Sequence, residues 1–581
     1  VSLPPTAGSE AALDAALGDP EETARLAAQR DLAEAFPAEL CARLDAFGLP
    51  AHYVPTEWGG ALDDHERLLR LWRTVARRDL SAAVAHGKTY LGAASVWVAG
   101  NAEQATRTAA TVISGTPVAW ALSEPEHGAD LLNGSLTATR HGDGYRLDGA
   151  KWPVNNATRA GYLTLLACTG APGTARGHSL FLVDKTDLAP GTWRALPKVP
   201  THGIRGIDIS GIAFDGARLA DATRIGPEGS GLETVLRALQ LTRTLCATLS
   251  LGAGEHGLRL AARFTATRII QRQPLIDRPH PRSILTRCAA LLAATECAAL
   301  LGSRSIHSLT GEMSVVSAVV KSLAPTLVDA AVAELAELLG VRSYLTTVHE
   351  HGAFQKVARD HQVVAIFDGS TPVNRSALVQ QFPRLARRLA TGSHDTDGLA
   401  EAAAVGKPPR PLDRTATTLL SPQGCSTVQS LPALAEMITW HAPTGLAEHA
   451  TALRDTTAEL GRRMAQVRPA SLPPMAAHEL AAAYELCFAG AACLHLWQVG
   501  AEGHHGEPLW QDGLWARAAL RALRTRLAEV LRTPPPSAAP GDEHIDGPLA
   551  HTVAEAALSG APLTPFGAPM PQPFHRPEAH T

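Results

Sequence analysis

Five short clusters bring acids, hydroxyls, amides and guanidinium groups together in a fixed order. The first is Leu122-Ser123-Glu124-Pro125-Glu126-His127-Gly128-Ala129-Asp130, and the second is Gly149-Ala150-Lys151-Trp152-Pro153-Val154-Asn155-Asn156-Ala157. Gly203-Ile204-Arg205-Gly206 follows. Gly226-Pro227-Glu228-Gly229-Ser230-Gly231 then opens a long run that carries Thr242, Arg243 and Arg268. Last comes Arg359-Asp360, ahead of Ile366-Phe367-Asp368-Gly369-Ser370-Thr371. A carboxylate such as Asp368 can take a proton from carbon if the substrate is held within hydrogen-bond reach. The Ser123 hydroxyl both donates and accepts, and the Asn155 amide can donate. Each residue also has a plainer use. Asp before Gly is a common turn pair, Arg268 alone is a solvated helix charge, and Arg243 suits a buried ion pair. Glu124 and Asp130 suit bracing of their loop, and His127 serves equally as a surface loop residue. Thr242 cannot be an effective general base alone. His504-His505 is too isolated for a metal site, so no metal is expected. Cys425 has no local partner for nucleophilic catalysis.

The elements that must position these clusters fall into blocks. Residues 1–115 alternate Ala/Leu-rich helical runs with short breaks, one of them Pro55-Thr56-Glu57-Trp58-Gly59-Gly60. Residues 116–225 read as a small β domain. Its strand candidates are 117–122, 135–139, 145–147, 162–168, 179–183 and 207–214, with a hairpin turn at His141-Gly142-Asp143-Gly144. Helical periodicity returns over 231–270, 282–308 and 313–340, with a shorter helix near 350–365. Residues 226–389 therefore read as a bundle. Residues 390–427 read as a linker rich in Gly, Pro, Ser and Thr, and 428–532 as a further helical block. Residues 533–581 form a Pro-rich tail expected to be mostly irregular.

In order and spacing, the clusters from about residue 48 to 385 resemble the acyl-CoA dehydrogenase superfamily. The fold expected is mostly α with a central β domain: an acyl-CoA dehydrogenase-like helical domain, a β-barrel-like domain and a four-helix bundle. The extra C-terminal helical domain resembles that of enlarged members. The resemblance implies FAD between the β domain and bundles of two subunits, hence a homodimer or homotetramer. It implies an acyl-CoA or acyl carrier protein substrate and an electron-transfer flavoprotein as possible partner. The reaction implied is removal of an α-proton with transfer of a β-hydride to the flavin. Asp368 stands where the family places its catalytic Glu, one methylene shorter. Ser123 replaces a Thr that reaches the flavin ring, and Asn155 replaces a Thr or Ser near flavin N5. Arg268 matches the Arg on the FAD pyrophosphate across the dimer, Glu337 a Gln beside the cofactor, and Ser370 follows the base in the same loop. Arg243, His127 and Ala129 fall at substrate-facing positions, Ala129 without the usual hydroxyl. Pro153 takes the place of an aromatic residue that packs at the flavin. Two rivals remain: an oxidase or monooxygenase of the same fold, and a FAD-less member that binds a thioester or a protein.

Composition sets the outer limits. The chain has 581 residues, too many for one ordinary domain, and 45% are hydrophobic, too many for a disordered chain. A net charge of −4 provides no basic field, so nucleic acid is not an expected partner. The eight Cys include no C-x-x-C pair and read as buried reduced thiols. No signal peptide or bilayer-length apolar run is read from the sequence, and the chain is expected to be cytoplasmic.

Overall fold

The computed structural model describes residues 9–470, 472–504 and 506–570. Helices α1 (Glu10–Ala16), α2 (Pro20–Leu32), α3 (Ala38–Phe47), α4 (His65–Arg78), α5 (Leu80–Ala99) and α6 (Ala102–Ile113) come first. Strands β1 (Val118–Ala121), β2 (Thr137–His141), β3 (Gly144–Asn155), β4 (Tyr162–Cys168), β5 (His178–Asp184), β6 (Trp193–Leu196), β7 (Ile209–Ala220) and β8 (Arg224–Ile225) follow. Helix α7 (Gly231–Thr267) leads through a small hairpin, β9 (Ile269–Ile270) and β10 (Gln273–Pro274), to α8 (Pro279–Ser308) and α9 (Met313–Leu339). Next are α10 (Ala353–His361), α11 (Thr371–Thr391), α12 (Thr396–Ala403), α13 (Ser426–Gln429), α14 (Leu431–His441) and α15 (Thr444–Met464). The described chain ends with α16 (Met475–Gly500), α17 (Leu514–Leu531) and α18 (Asp546–Ser559).

These elements form two compact units. One is built from residues 29–68 and 81–243. Its eight-stranded sheet runs β6-β7-β3-β2-β4-β5-β8, with β1 parallel to β4. The expected hairpin is present: His141 pairs with Gly144 across a two-residue turn in which Gly142 takes a φ of 61°. One face of the sheet buries Tyr145, Leu147, Leu163, Leu165, Phe181 and Phe214 in a common core. Helix α6 starts on a capping box. The Asn101 side chain accepts from Gln104 N, and the Gln104 side chain accepts from Asn101 N.

The other unit contains residues 9–28, 69–80 and, among the described residues, 244–570. Helices α8, α9 and α11 pack side by side, and α16 and α17 lie against α8. Small residues permit close crossings. A Cβ on Gly252 of α7 would sit 2.4 Å from Ala76 Cβ and 2.7 Å from backbone of the same turn of α4. Glu485 of α16, itself 1% exposed, anchors the C-terminal block. It accepts from Ser322 Oγ on α9 at 2.6 Å and pairs with Arg375 Nη2 on α11 at 2.9 Å.

The structure corrects several expectations. The stretch read as linker contains α12 and ends in buried Cys425, Ser426 and Thr427. The tail read as irregular contains α18, and residues 563–565 beyond it are buried. Thr564 is 2% exposed and accepts from Arg73 Nη2 at 2.9 Å, and Phe566 N donates to Glu296 at 3.3 Å. Prolines before and after α18 stop local periodicity without preventing tertiary packing. Three helical stretches do reach bilayer length: Pro279–Ser308, Thr310–Ser343 and Met475–Gly500, with mean hydropathies of 1.7, 1.6 and 1.4 over their most apolar windows. Those windows are 94%, 83% and 94% buried by neighbouring parts of the protein, which explains an apolar surface all round. Within 504–505, His504 stacks on Trp510 at 4.4 Å and pairs with Glu507 at 2.9 Å, while His505 lies outside the described residues.

Candidate active site

The loop between α10 and α11 carries Asp368. Asp368 has a φ of 55° and Gly369 one of 87°, so both occupy the left-handed region. Asp tolerates that region better than most residues. The turn reading of the Asp-Gly pair and its candidate chemical role therefore coexist. Three neighbours hold the loop. Lys321 of α9, 1% exposed, donates from Nζ to Val364 O at 2.7 Å and to Gly369 O at 3.3 Å. The same ammonium stands 5.4 Å from the centre of the Phe367 ring. Asn374 in the first turn of α11 donates to Gly369 O at 2.8 Å and Ser370 O at 3.1 Å. From α7, the Cys246 thiol donates to Asp368 Oδ2 at 3.4 Å.

The start of the loop is fixed as firmly. Lys356 of α10 pairs with Asp360 at 2.6 Å and with Asp79 at 3.0 Å. His361 bridges Asp329 through Nδ1 at 2.6 Å and Ser250 Oγ through Nε2 at 2.9 Å. Sequence reading singled out Arg359-Asp360 but missed Lys321, Asn374 and Cys246. Lys321 had a local signal, as the one ammonium in the apolar run 315–328. The role of Cys246 depends on a partner far along the chain.

In the sheet unit, the first two clusters form one braced surface. Trp152 N donates to Ser123 O at 2.9 Å. Lys151, 1% exposed, donates to Leu122 O at 2.9 Å and pairs with Glu124 at 2.7 Å. Glu124 also accepts from Ser135 N at 2.7 Å, Ser135 Oγ at 2.6 Å and Leu136 N at 3.0 Å. Burial raises the Glu124 pKa, but hydrogen bonds from Lys151 and Ser135 outweigh it and bring it down to about 2. Glu124 is thus a fixed anion that closes the loop, as its bracing reading expects.

The remaining site residues have varied settings. Ser123 and His127 are half-buried, and Ala129 is exposed on the same loop. Asn155, at the end of β3, keeps a buried Oδ1 with no hydrogen-bond partner. Arg243 is buried, beside Thr242, whose buried Oγ1 also has no partner. Ser370 is the N-cap residue of α11 but makes no side-chain capping bond. Arg268 is not on the long helix as read from sequence. Helix α7 ends at Thr267, and Arg268 is exposed at the start of the β9–β10 hairpin, where its carbonyl accepts from Leu275 N at 2.7 Å. Glu337 is exposed on α9, with His280 3.9 Å away. The structure brings Asp368 and Ser370 together in one loop, and Ser123, His127 and Ala129 in another.

The edge of an oxidised isoalloxazine carries one N–H, at N3, beside acceptors at N5 and the carbonyl oxygens, and the Asn155 amide, whose buried Oδ1 has no partner, can meet either kind. The residues present therefore fit a flavin.

Three family models match consecutive stretches of the chain: the acyl-CoA dehydrogenase N-terminal domain over residues 20–116, the middle domain over 119–217 and the C-terminal domain over 229–382. A probable acyl-CoA dehydrogenase of Mycobacterium tuberculosis is 25% identical over 365 residues, which is 63% of this chain and 92% of that protein. The human mitochondrial short-chain specific acyl-CoA dehydrogenase is 26% identical over 367 residues, covering 62% and 86% respectively. The solved acyl-CoA dehydrogenase of Bacillus anthracis, complexed with FAD, superposes with a TM-score of 0.64 at 18% identity and covers 89% of each chain. The butyryl-CoA dehydrogenase structure from Megasphaera elsdenii gives 0.59 at 20% identity, over 64% of this chain and 97% of that one. The three domains lie in order, and the C-terminal helices lie beyond the last of them. This chain belongs to the acyl-CoA dehydrogenase family of FAD-dependent flavoprotein oxidoreductases, as a member enlarged at its C-terminus.

Proposed function

We propose that the protein desaturates an acyl thioester, with Asp368 as the base that removes the α-proton. FAD, when bound, accepts the hydride from the β-carbon. The observation that carries the reading is the fixed carboxylate of Asp368. It lies in a left-handed turn held from three sides, and Cys246 binds one of its oxygens. A base held before substrate arrives loses little freedom on reaching the reactive geometry. The proton passes from the substrate α-carbon to an Asp368 carboxylate oxygen.

Ser123 and Asn155 are the residues assigned to the ring edge, and Ser370 lies in the base loop beside them in role. Arg268 and Glu337 are assigned to cofactor held by a second subunit. Both are exposed, which leaves their side chains accessible to such a partner in a homodimer or homotetramer. Arg243, His127 and Ala129 are assigned to substrate. The acyl carrier is coenzyme A or a carrier protein, and an electron-transfer flavoprotein is the assigned acceptor.

Anaerobic flavin reduction tests the reading. The FAD-loaded protein should be bleached by at least one member of an acyl-CoA series, and Asp368→Asn should keep its flavin but lose more than a thousandfold in reduction rate. A Thr242→Ala control should reduce normally. Near-normal reduction in Asp368→Asn would place the base elsewhere. Presenting the same acyl group on coenzyme A and on a carrier protein then decides the carrier.

A further inference from the structure

The helical unit contains a cavity of about 250 Å³ whose wall includes Arg77, Arg78, Arg259, Arg263, His256 and Met570. None of the residues assigned above to base, flavin or substrate lines it. The first three arginines are buried, and the outer nitrogens of their guanidinium groups are committed. Arg77 pairs with Asp14 at 2.5 Å and Glu255 at 3.3 Å, and Arg78 pairs with Asp14 at 3.1 Å. Arg259 donates to Ala556 O at 3.2 Å and to Ala561 O at 3.1 Å. Each of the three nevertheless has a buried Nε–H with no acceptor. An unmet buried donor costs about 1–3 kcal/mol, and three around one cavity call for a shared acceptor.

The neighbouring acids do not supply it: Glu21, also in the wall, is exposed to solvent. Both Asp14 oxygens and both Glu255 oxygens already take guanidinium partners, Glu255 through Arg73 at 3.0 Å as well as Arg77. Glu350 pairs with Arg263 at 3.5 Å. A cation cannot satisfy an N–H group, whereas a carboxylate or phosphate can accept from several at once. Burial lowers the pKa of Arg259, to about 10, and of His256, to about 4, against the partial compensation of nearby acids. A bound anion would relieve the same cost.

The C-terminal segment completes this wall. Arg77 donates to Ala568 O at 3.0 Å and Pro569 O at 3.2 Å, and Met570 lines the cavity itself. We propose that the enlarged C-terminus builds a second binding site in this family member, one that takes a compact oxyanion, phosphate or carboxylate, on the unmet Nε–H groups of Arg77, Arg78 and Arg259.

The test uses the full-length, FAD-loaded protein with inorganic phosphate and malonate as probes, and chloride at matched ionic strength as control. Heat capacity or intrinsic fluorescence should report a saturable rise in thermal midpoint with at least one of the two oxyanions. Two variants separate site from solvent effects. Ala24→Phe puts bulk into the cavity wall while leaving every arginine in the sequence, and Arg263→Gln removes a lining charge that is 13% exposed. Each should raise the half-saturating concentration about tenfold or more, as expected for loss of a charge-assisted contact or of the space itself. Equal shifts with chloride and both oxyanions, or unchanged half-saturation in both variants, would mean that water alone fills the cavity and would overturn the proposal. The relative strength of phosphate and malonate identifies the headgroup.

Discussion

Cys246 Sγ donates to Asp368 Oδ2 across 3.4 Å, joining α7 to a loop 122 residues further along the chain. The thiol is 1% exposed, so no solvent competes for the carboxylate oxygen from that side. On the proposal that Asp368 is the base, Cys246 is a positioning group. Cys246→Ala should lower kcat for flavin reduction about three- to tenfold with little change in KM, the loss of roughly one hydrogen bond in the transition state. Cys246→Ser keeps a donor at the same place and should recover most of the rate. Equal defects in both variants would point to packing and not to the thiol hydrogen.

Arg268 is exposed, so its substitution should hardly affect the stability of the chain itself. If it binds cofactor phosphate, Arg268→Ala should weaken FAD affinity about 10- to 100-fold, the range of a charge-assisted hydrogen bond. Flavin retained on dilution and gel filtration, with the thermal midpoint of the flavin-stripped protein as control, measures both effects.

Glu124 and Lys151 form a pair buried on both sides. Glu124→Gln leaves the ammonium uncompensated and should cost about 3–5 kcal/mol. Glu124 titrates at about 2 in the fold, below its ordinary range. The unfolded chain therefore binds the proton more readily, and this stabilisation is full above the unfolded value and declines as pH falls from there towards 2. Thermal midpoints between pH 6 and pH 3 should fall in the parent protein and fall less steeply in the variant.

Glu312 behaves in the opposite sense. Burial pushes its carboxyl up to about 7, although Ser426 donates to it from N at 2.7 Å and from Oγ at 2.6 Å. The fold holds the proton more tightly than the unfolded chain does, so stability declines as pH rises from the ordinary carboxyl range through about 7. Glu312→Gln keeps an acceptor for Ser426 and never ionises. Its thermal midpoint should exceed that of the parent at pH 8 and match it at pH 5.

What could be read from the sequence follows how local each cause is. Strand β4 begins at Tyr162 and ends at Cys168, as its apolar run and flanking breaks indicate, and the hairpin at Gly142 follows from its turn chemistry. The order of the clusters around Ser123, Asn155, Arg243 and Asp368 was enough to indicate the family. The Pro-rich tail misled because Thr564 and Phe566 are ordered by Arg73 and Glu296, residues hundreds of positions earlier. Arg268 misled by one residue at a helix end, where assignment from periodicity is least sharp. The apolar runs of α8, α9 and α16 were passed over as possible spans because scattered small and polar residues interrupt them, though by length and composition they qualify.

Glu485 gives the added C-terminal block a hold on the helices that carry the Asp368 loop. Through Arg375 and Ser322 it ties α16 to the opening turns of α11, the helix that follows Asp368, and to the same α9 that sends Lys321 under the base loop. Trimming the protein back to the length of its shorter relatives would therefore do more than remove an appendage. It would strand a guanidinium one turn from Ser370, lay bare the greasy flank of two helices and slacken the platform that carries Asp368. On the reading that Asp368 is the base, bulk and reactivity are joined in this chain.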